Sequence, residues 1–257
     1  MNYKLRTNKA FTLIELVVAI AILAMVISFA GVIFKVSIGA YRIAIANAEI
    51  MRKLRAITDQ LNTDFKGVRK DCPIGVYGDH VVFFANGDFQ SIRQYIDSSG
   101  NKKTVAGNIA CIFYGQTANV GKPREKILAR RQTILTADSS LLEPNAVGEY
   151  FDWPLYRWKG PGHPVTHGQW MANPALNPTS EEDLVRYMAK GVDNFSVYFA
   201  DWDDIERRFL WNDEYHGYVD PAHGPGTKAL KFSFTLHDSK GIIEKGRRFT
   251  HIVYIGD

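Results

Sequence analysis

Basic charge is absent from one long stretch of this sequence. Residues 11–34, FTLIELVVAIAILAMVISFAGVIF, contain no lysine, arginine or histidine and a single acid, Glu15. A run of that length with one charge is not a solvated surface helix. Coiled at about 1.5 Å per residue it spans about 36 Å, enough for a hydrocarbon core of about 30 Å. Cysteine is scarce too: Cys72 and Cys111 are the whole supply and allow one disulfide at most. Catalytic signatures are missing. There is no G-x-S-x-G elbow and no H-E-x-x-H pair, which leaves no recognisable nucleophile or zinc motif. Gly160-Pro161-Gly162 and Gly224-Pro225-Gly226-Thr227 lack a following Lys-Ser/Thr pair, and proline removes amide donors, so neither cradles a phosphate. Excess charge is missing as well. The net value of +4 falls to +1 without Lys4, Arg6 and Lys9, so no nucleic-acid partner is expected, and neither an active site nor a cofactor.

The chain does have an oriented membrane segment. Lys4, Arg6 and Lys9 precede the apolar run, and Lys35 is the first cation after it. Positive-inside logic puts residues 1–10 in the cytoplasm and the bulk of the chain outside. No second span is expected. Glu15 needs an explanation. A carboxylate at the centre of a membrane helix costs about 2.5–3.5 kcal/mol, somewhat less near an end. A simple anchor has no use for it. With no cation between Lys9 and Lys35, one partner would arise if the chain were cut before Phe11. The new α-amine would then stand four residues before Glu15 on the same helical face.

The residues that argue this way also carry a resemblance. A basic leader, the small Ala10, then Phe11-Thr12-Leu13-Ile14-Glu15 and an aliphatic run resemble the class III signal of type IV pilins and pseudopilins. The resemblance implies cleavage between Ala10 and Phe11 by a prepilin peptidase, N-methylation of Phe11, and pairing of Glu15 with an N-terminal amine during subunit packing. The sequence departs from the pattern at Ala10, where glycine is usual. Cleavage after Ala44-Ile45-Ala46 by an ordinary signal peptidase, and an uncleaved signal anchor, are the alternatives. The first fits poorly because the apolar run is too long. The second leaves Glu15 unexplained.

Beyond the span, helical periodicity continues. Ile43, Ile50, Leu54, Ile57, Leu61, Phe65 and Val68 recur at steps of seven, three and four, with polar residues between them. One helix is expected from about Thr12 to about Lys66, with Gly31 and Gly39 as places for a bend and Gly67 and Pro73 as its end. Residues 11–34 are its transmembrane half, and 35–70 an amphipathic extension that follows it. The head, 71–257, reads as mainly antiparallel β, so the fold class is α+β. Strands are expected at Val81–Phe84, Phe89–Ile96, Ile109–Tyr114, Lys126–Leu135, around Phe195–Phe199, at Leu230–Leu236 and at Phe249–Ile255, the last two joined by Asp238-Ser239-Lys240-Gly241. Ser180 with Glu181, Glu182 and Asp183 reads as the start of a short helix bearing Leu184, Val185 and Met188 and stopping at Gly191.

Residues 143–180 hold Pro144, Pro154, Pro161, Pro164, Pro174 and Pro178 with Trp153, Trp158 and Trp170. They read as an irregular insertion packed on the head, with a partner contact as the other reading. His163 and His167 flank Pro164, which argues against a helical zinc pair. No metal site is expected; Asp201, Asp203 and Asp204 are the residual calcium candidate, without the glycine an EF-hand loop needs. Outside the cytoplasm Cys72 and Cys111 could bridge, or could stay two buried thiols.

The segment MRKLRAITDQLNTDFKGVR, with Leu61, Asp64 and Arg69, is similar to the J-type minor pseudopilin of type II secretion. So is the order VDNFSVYFADW, Trp211, ALKFSFTLH and FTHIVYI. This likeness implies a structural subunit, not an enzyme, in the inner membrane with a periplasmic head. Its partners would be other pseudopilins along the N-terminal helix and the inner-membrane assembly platform. A minor pilin of a type IV pilus, serving adhesion or DNA uptake, is the alternative within the class. A membrane-tethered enzyme or binding module is the alternative outside it.

Overall fold

The computed structural model describes residues 12–69, 72, 74–116, 122–136, 150–152, 187–203, 206–212, 217–219 and 229–255. A single helix, α1, runs Leu13–Lys66 for 54 residues, about 80 Å at the usual rise. Thr12 is its N-cap and Gly67 its C-cap. The helix continues through Gly31 and Gly39 without interruption. Gly67 is required by proximity, not by its backbone angle. A Cβ there would lie 2.1 Å from the carbonyl oxygen of Asn86, and the Asn86 N–H donates to the Gly67 carbonyl at 2.6 Å.

Eleven strands follow among the described residues: β1 Ile74–Tyr77, β2 His80–Ile96, β3 Lys102–Gln116, β4 Ile127–Thr136, β5 Tyr150–Asp152, β6 Tyr187–Lys190, β7 Val192–Asp203, β8 Arg208–Asn212, β9 Gly217–Val219, β10 Ala229–Leu236 and β11 Arg247–Tyr254. They form two sheets. The first runs in the order β5-β4-β3-β2-β1-β9, with β6 also paired to β4; the second runs β11-β10-β7-β8. Every pairing is antiparallel except β4 with β5. The α+β architecture with a β head is therefore what the sequence pattern anticipates.

Alternation decides which face each strand buries. Phe83 and Ala85 of β2, Ala110, Ile112 and Tyr114 of β3, Phe195 and Val197 of β7, and Leu230, Phe232, Phe234 and Leu236 of β10 share one core with Ile50, Ile57, Leu61 and Phe65 of α1. Phe65 ties the three layers together. Its ring centroid lies 4.1 Å from Phe83 of the first sheet and 5.6 Å from Phe232 of the second. The far half of α1 is thus the element both sheets close upon.

Three expectations are corrected. Ile43 does not belong to the buried stripe, being 51% exposed; burial of the helix begins at Ala46. The predicted helix before Gly191 is a strand where it is described: Tyr187–Lys190 is β6, drawn onto the free edge of β4 with Ile127 opposite Lys190. Tertiary pairing overrides a short helical period there. Gly191 then turns with φ +79°, a conformation that favours glycine, and carries the chain from the first sheet into the second. The break expected between Phe84 and Phe89 is a register shift within one continuous strand. Of the 143–180 insertion, only Tyr150–Asp152 is described; the remainder, with the predicted cap at Ser180, lies outside the described residues.

Candidate functional site

The residues that set the site stand at the start of α1. Thr12 is extended (φ −79°, ψ 148°) and closes a reciprocal cap with Glu15. The Thr12 N–H donates to Glu15 Oε2 at 2.9 Å, and so does the Thr12 hydroxyl, also at 2.9 Å. The Glu15 N–H donates back to Thr12 Oγ1 at 3.4 Å. A capping box satisfies two of the four N–H groups that every helix start leaves without intrahelical partners. Within one chain, then, Glu15 is held locally. Thr12 thus serves the carboxylate within the chain, beside the amine that cleavage before Phe11 would supply. Thr12 is the residue the sequence reading passed over, and the signal was present: Thr12-x-x-Glu15 ahead of an apolar run is the capping-box pattern. Ala10 and Phe11 lie outside the described residues.

The next feature is exposure. From Leu13 to Ile45 the helix buries no large apolar side chain against the described residues of the head. Its apolar side chains stand 42–81% exposed on every side, including Leu13, Phe29, Phe34, Tyr41 and Ile45. The most apolar window has mean hydropathy 3.0 and none of it is buried. The helix is long and apolar enough to cross a membrane. At 1.5 Å per residue this bare part measures about 50 Å, against a hydrocarbon core of about 30 Å. The exposed Val36, Ile38, Tyr41, Ile43 and Ile45, interspersed with Lys35 and Arg42, thus stand on helix beyond the length that a hydrocarbon core requires.

The third feature fixes the helix to the head. Asp64 is buried on the last turns of α1. Arg130 of β4 grips it with two bonds, Nε to Oδ2 at 2.7 Å and a terminal guanidinium nitrogen to Oδ1 at 2.9 Å. Tyr114 of β3 donates its hydroxyl to the same carboxylate, and Gln60 adds an amide at 3.1 Å. Burial, and then the neighbouring carboxylate, drive the Tyr114 pKa well above the phenolic range, so it stays a donor. Burial opposes the charge on Arg130, but Asp64 outweighs it and the guanidinium pKa is raised. Leu61 is core, as its spacing implies, but Arg69 does not meet Asp64. It donates to the side chain of Asn86 at 3.1 Å. Nearer the membrane, Glu49 pairs with Lys53 at 2.8 Å and accepts from Ser239, while Lys53 donates to the His237 carbonyl at 2.9 Å.

The remaining predicted residues do not assemble into a second site. Cys72 and Cys111 are buried in one apolar cluster with Val82, Phe84, Phe113 and Leu135 and no disulfide joins them. Of the two readings, the structure holds two buried thiols. Burial pushes the Cys111 thiol up to about 12, which suppresses the thiolate. Asp201 and Asp203 fall at the end of β7; their side chains, with Asp204, His163 and His167, lie outside the described residues. No group of three potential metal ligands occurs among the described residues.

A family model described as the prokaryotic N-terminal methylation motif matches residues 5–31. No curated protein and no solved structure matches the chain. The chain thus carries a type IV pilin-like signal over residues 5–31, which include the Thr12–Glu15 cap and most of the lipid-length apolar run.

Proposed function

We propose that this protein is a minor pseudopilin, a structural and non-catalytic subunit of a type II secretion pseudopilus. A prepilin peptidase removes residues 1–10 after Ala10 and methylates the amine of Phe11. Before assembly the helix stores the subunit in the inner membrane, with the head in the periplasm. An assembly platform in that membrane then extracts it, and the helix joins those of other pseudopilins to form the fibre that drives protein export.

The observation that carries this reading is the unburied apolar length of α1. A lone anchor needs about 20 residues. Here the bare helix continues to Ile45, and its outer part exposes Tyr41 at 68% and Val36 at 66%. Apolar surface of that extent in water is costly at about 25 cal/mol per Å², and helices of neighbouring subunits are the cover that fits a rod. The methylation motif at 5–31 supports cleavage and packing. The likeness of the Leu61–Asp64 region and of the last strands to J-type heads supports the assignment to a minor subunit.

The test uses photo-crosslinking residues placed at Val36 and Tyr41 in membranes that also contain the secretion components. Crosslinks to the N-terminal helices of other pilin-like subunits are expected. Adducts to lipid alone at both positions would overturn the reading.

A further inference from the structure

The outer face of the second sheet holds a site that the helix does not use. Inward alternation commits Phe195, Val197, Leu230, Phe232 and Phe234 to the core. Tyr198, Lys231, Ser233, Arg248 and Thr250 therefore point the other way, with Lys231 opposite Tyr198 on one side and Ser233 opposite Thr250 on the other. Together with Trp211 of β8 they line a depression of about 240 Å³.

Its charge is preorganised. The Lys231 ammonium sits 4.5 Å from the Tyr198 ring centroid and 4.6 Å from that of Trp211. Two aromatic faces thus hold the side chain extended across the sheet. Arg248 is steadied by its Nε, which donates to the Ser233 hydroxyl at 3.2 Å; the rest of its guanidinium is left to donate elsewhere. Among the described residues neither cation has a carboxylate within ion-pair reach. Less exposed cations are matched: Lys126 with Asp193 and Arg130 with Asp64 on the head, and Lys53 with Glu49 along α1. Two held cations beside two hydroxyls, without a counter-ion among the described residues, are complementary to a carboxylate.

The surroundings choose its carrier. Lys231 occupies one ring face of Tyr198 and one of Trp211, the faces that a sugar entering the depression beside the ammonium would stack on. Next to the depression the same face continues as apolar surface. Phe209 packs 5.8 Å from Tyr254, and Tyr254 and Ile252 are 64% and 39% exposed. A shallow cationic notch beside an apolar shelf fits a chain that presents an acid next to apolar side chains. We propose that this face binds an acidic stretch of a partner polypeptide, seating one carboxylate between Lys231 and Arg248.

The test uses the full mature chain in detergent and a labelled peptide of alternating glutamate and leucine. Its glutamine counterpart and an oligogalacturonate serve as competitors. Binding is read in solution, so the result is independent of leader cleavage and fibre assembly. The glutamate peptide should bind, and the glutamine peptide and the oligogalacturonate should not displace it. Lys231→Gln combined with Arg248→Gln should weaken binding by about tenfold or more. Lys102→Gln with Lys245→Gln, exposed cations elsewhere on the head, should leave it unchanged. The proposal is overturned if the glutamate peptide fails to bind, if the glutamine peptide or the oligogalacturonate competes equally, or if the two double variants weaken binding alike.

Discussion

Glu15 has two roles that a substitution to alanine would confuse. In the single chain it accepts from the N–H and hydroxyl of Thr12 and so starts the helix. In a fibre it would neutralise an N-terminal amine. Glutamine keeps the capping geometry and removes the charge, whereas Thr12→Val keeps the charge and removes the hydroxyl half of the cap. Glu15→Gln should be cleaved and methylated normally yet enter fibres poorly, while Thr12→Val should assemble close to wild type. Shear-released fibre, quantified against membrane-retained subunit, reads the difference. Normal incorporation of Glu15→Gln would assign the carboxylate to capping alone. Farther along the helix, Asp64 is the other acid with a defined task. Arg130→Met leaves its carboxylate buried beside Tyr114 without a cation. Removing one partner of a buried pair costs about 3–5 kcal/mol. Cooperative melting of the head in detergent, followed by near-ultraviolet circular dichroism, should fall by roughly 10 °C at about 2–4 °C per kcal/mol. An unchanged melt would mean that the pair contributes little to fixing the helix.

At the scale of elements, α1 was legible almost to the residue, and for a physical reason. Its first half is uninterrupted apolar sequence, and its second half repeats Ile50, Ile57, Leu61 and Phe65 against Gly67, whose missing side chain lets the helix end touch Asn86. β10 and β11 are legible to within two residues from their alternation, whereas β7 shows only its middle, Phe195–Phe199, of a strand that runs Val192–Asp203. β6 is not legible, because Tyr187–Lys190 takes its conformation from the edge of β4, sixty residues away in sequence, and no local pattern records an edge. The same holds for the site. Glu15 announces itself by being the one charge in an apolar run, but the Arg130 partner of Asp64 and the Lys231 notch depend on strand register that spacing along one strand does not fix. The cap at Thr12 is local, and Thr12-x-x-Glu15 ahead of an apolar run encodes it in the sequence.

The turn between β10 and β11 sets a pH dependence at the same scale. Burial works against charge on Asp238 and Asp193. The Ile242 and Ile243 N–H groups on the first, and Lys126 at 2.5 Å on the second, outweigh it, so both carboxyls titrate below their ordinary values. Their stabilisation is present above about pH 4 and is lost as pH falls through the folded-state values. His237 and His251 are also lowered, chiefly by burial. A histidine whose folded pKa lies below its unfolded one favours the fold while neutral, above about pH 6.5, and opposes it as pH drops further. Both effects have one sign. The melting temperature of the head should be level from about pH 8 to 7, decline below about 6.5 and decline again below about 4. A head that melts higher at pH 5 than at pH 7.5 would contradict these assignments.

At the scale of the molecule, a head of two sheets closes on the last third of a rod and leaves the rest bare. The bare part is longer than a bilayer requires, starts with a capped acid and lies behind a basic leader. Under the proposed function, storage in lipid and later burial among like helices account for that combination, and the second stage depends on exposing a new amine at residue 11. The most direct measurement is the intact mass and N-terminal sequence of the protein purified from its native membrane. The account predicts a chain that begins at N-methylated Phe11. A native chain that still carries residues 1–10, or that begins near Asn47, would contradict it.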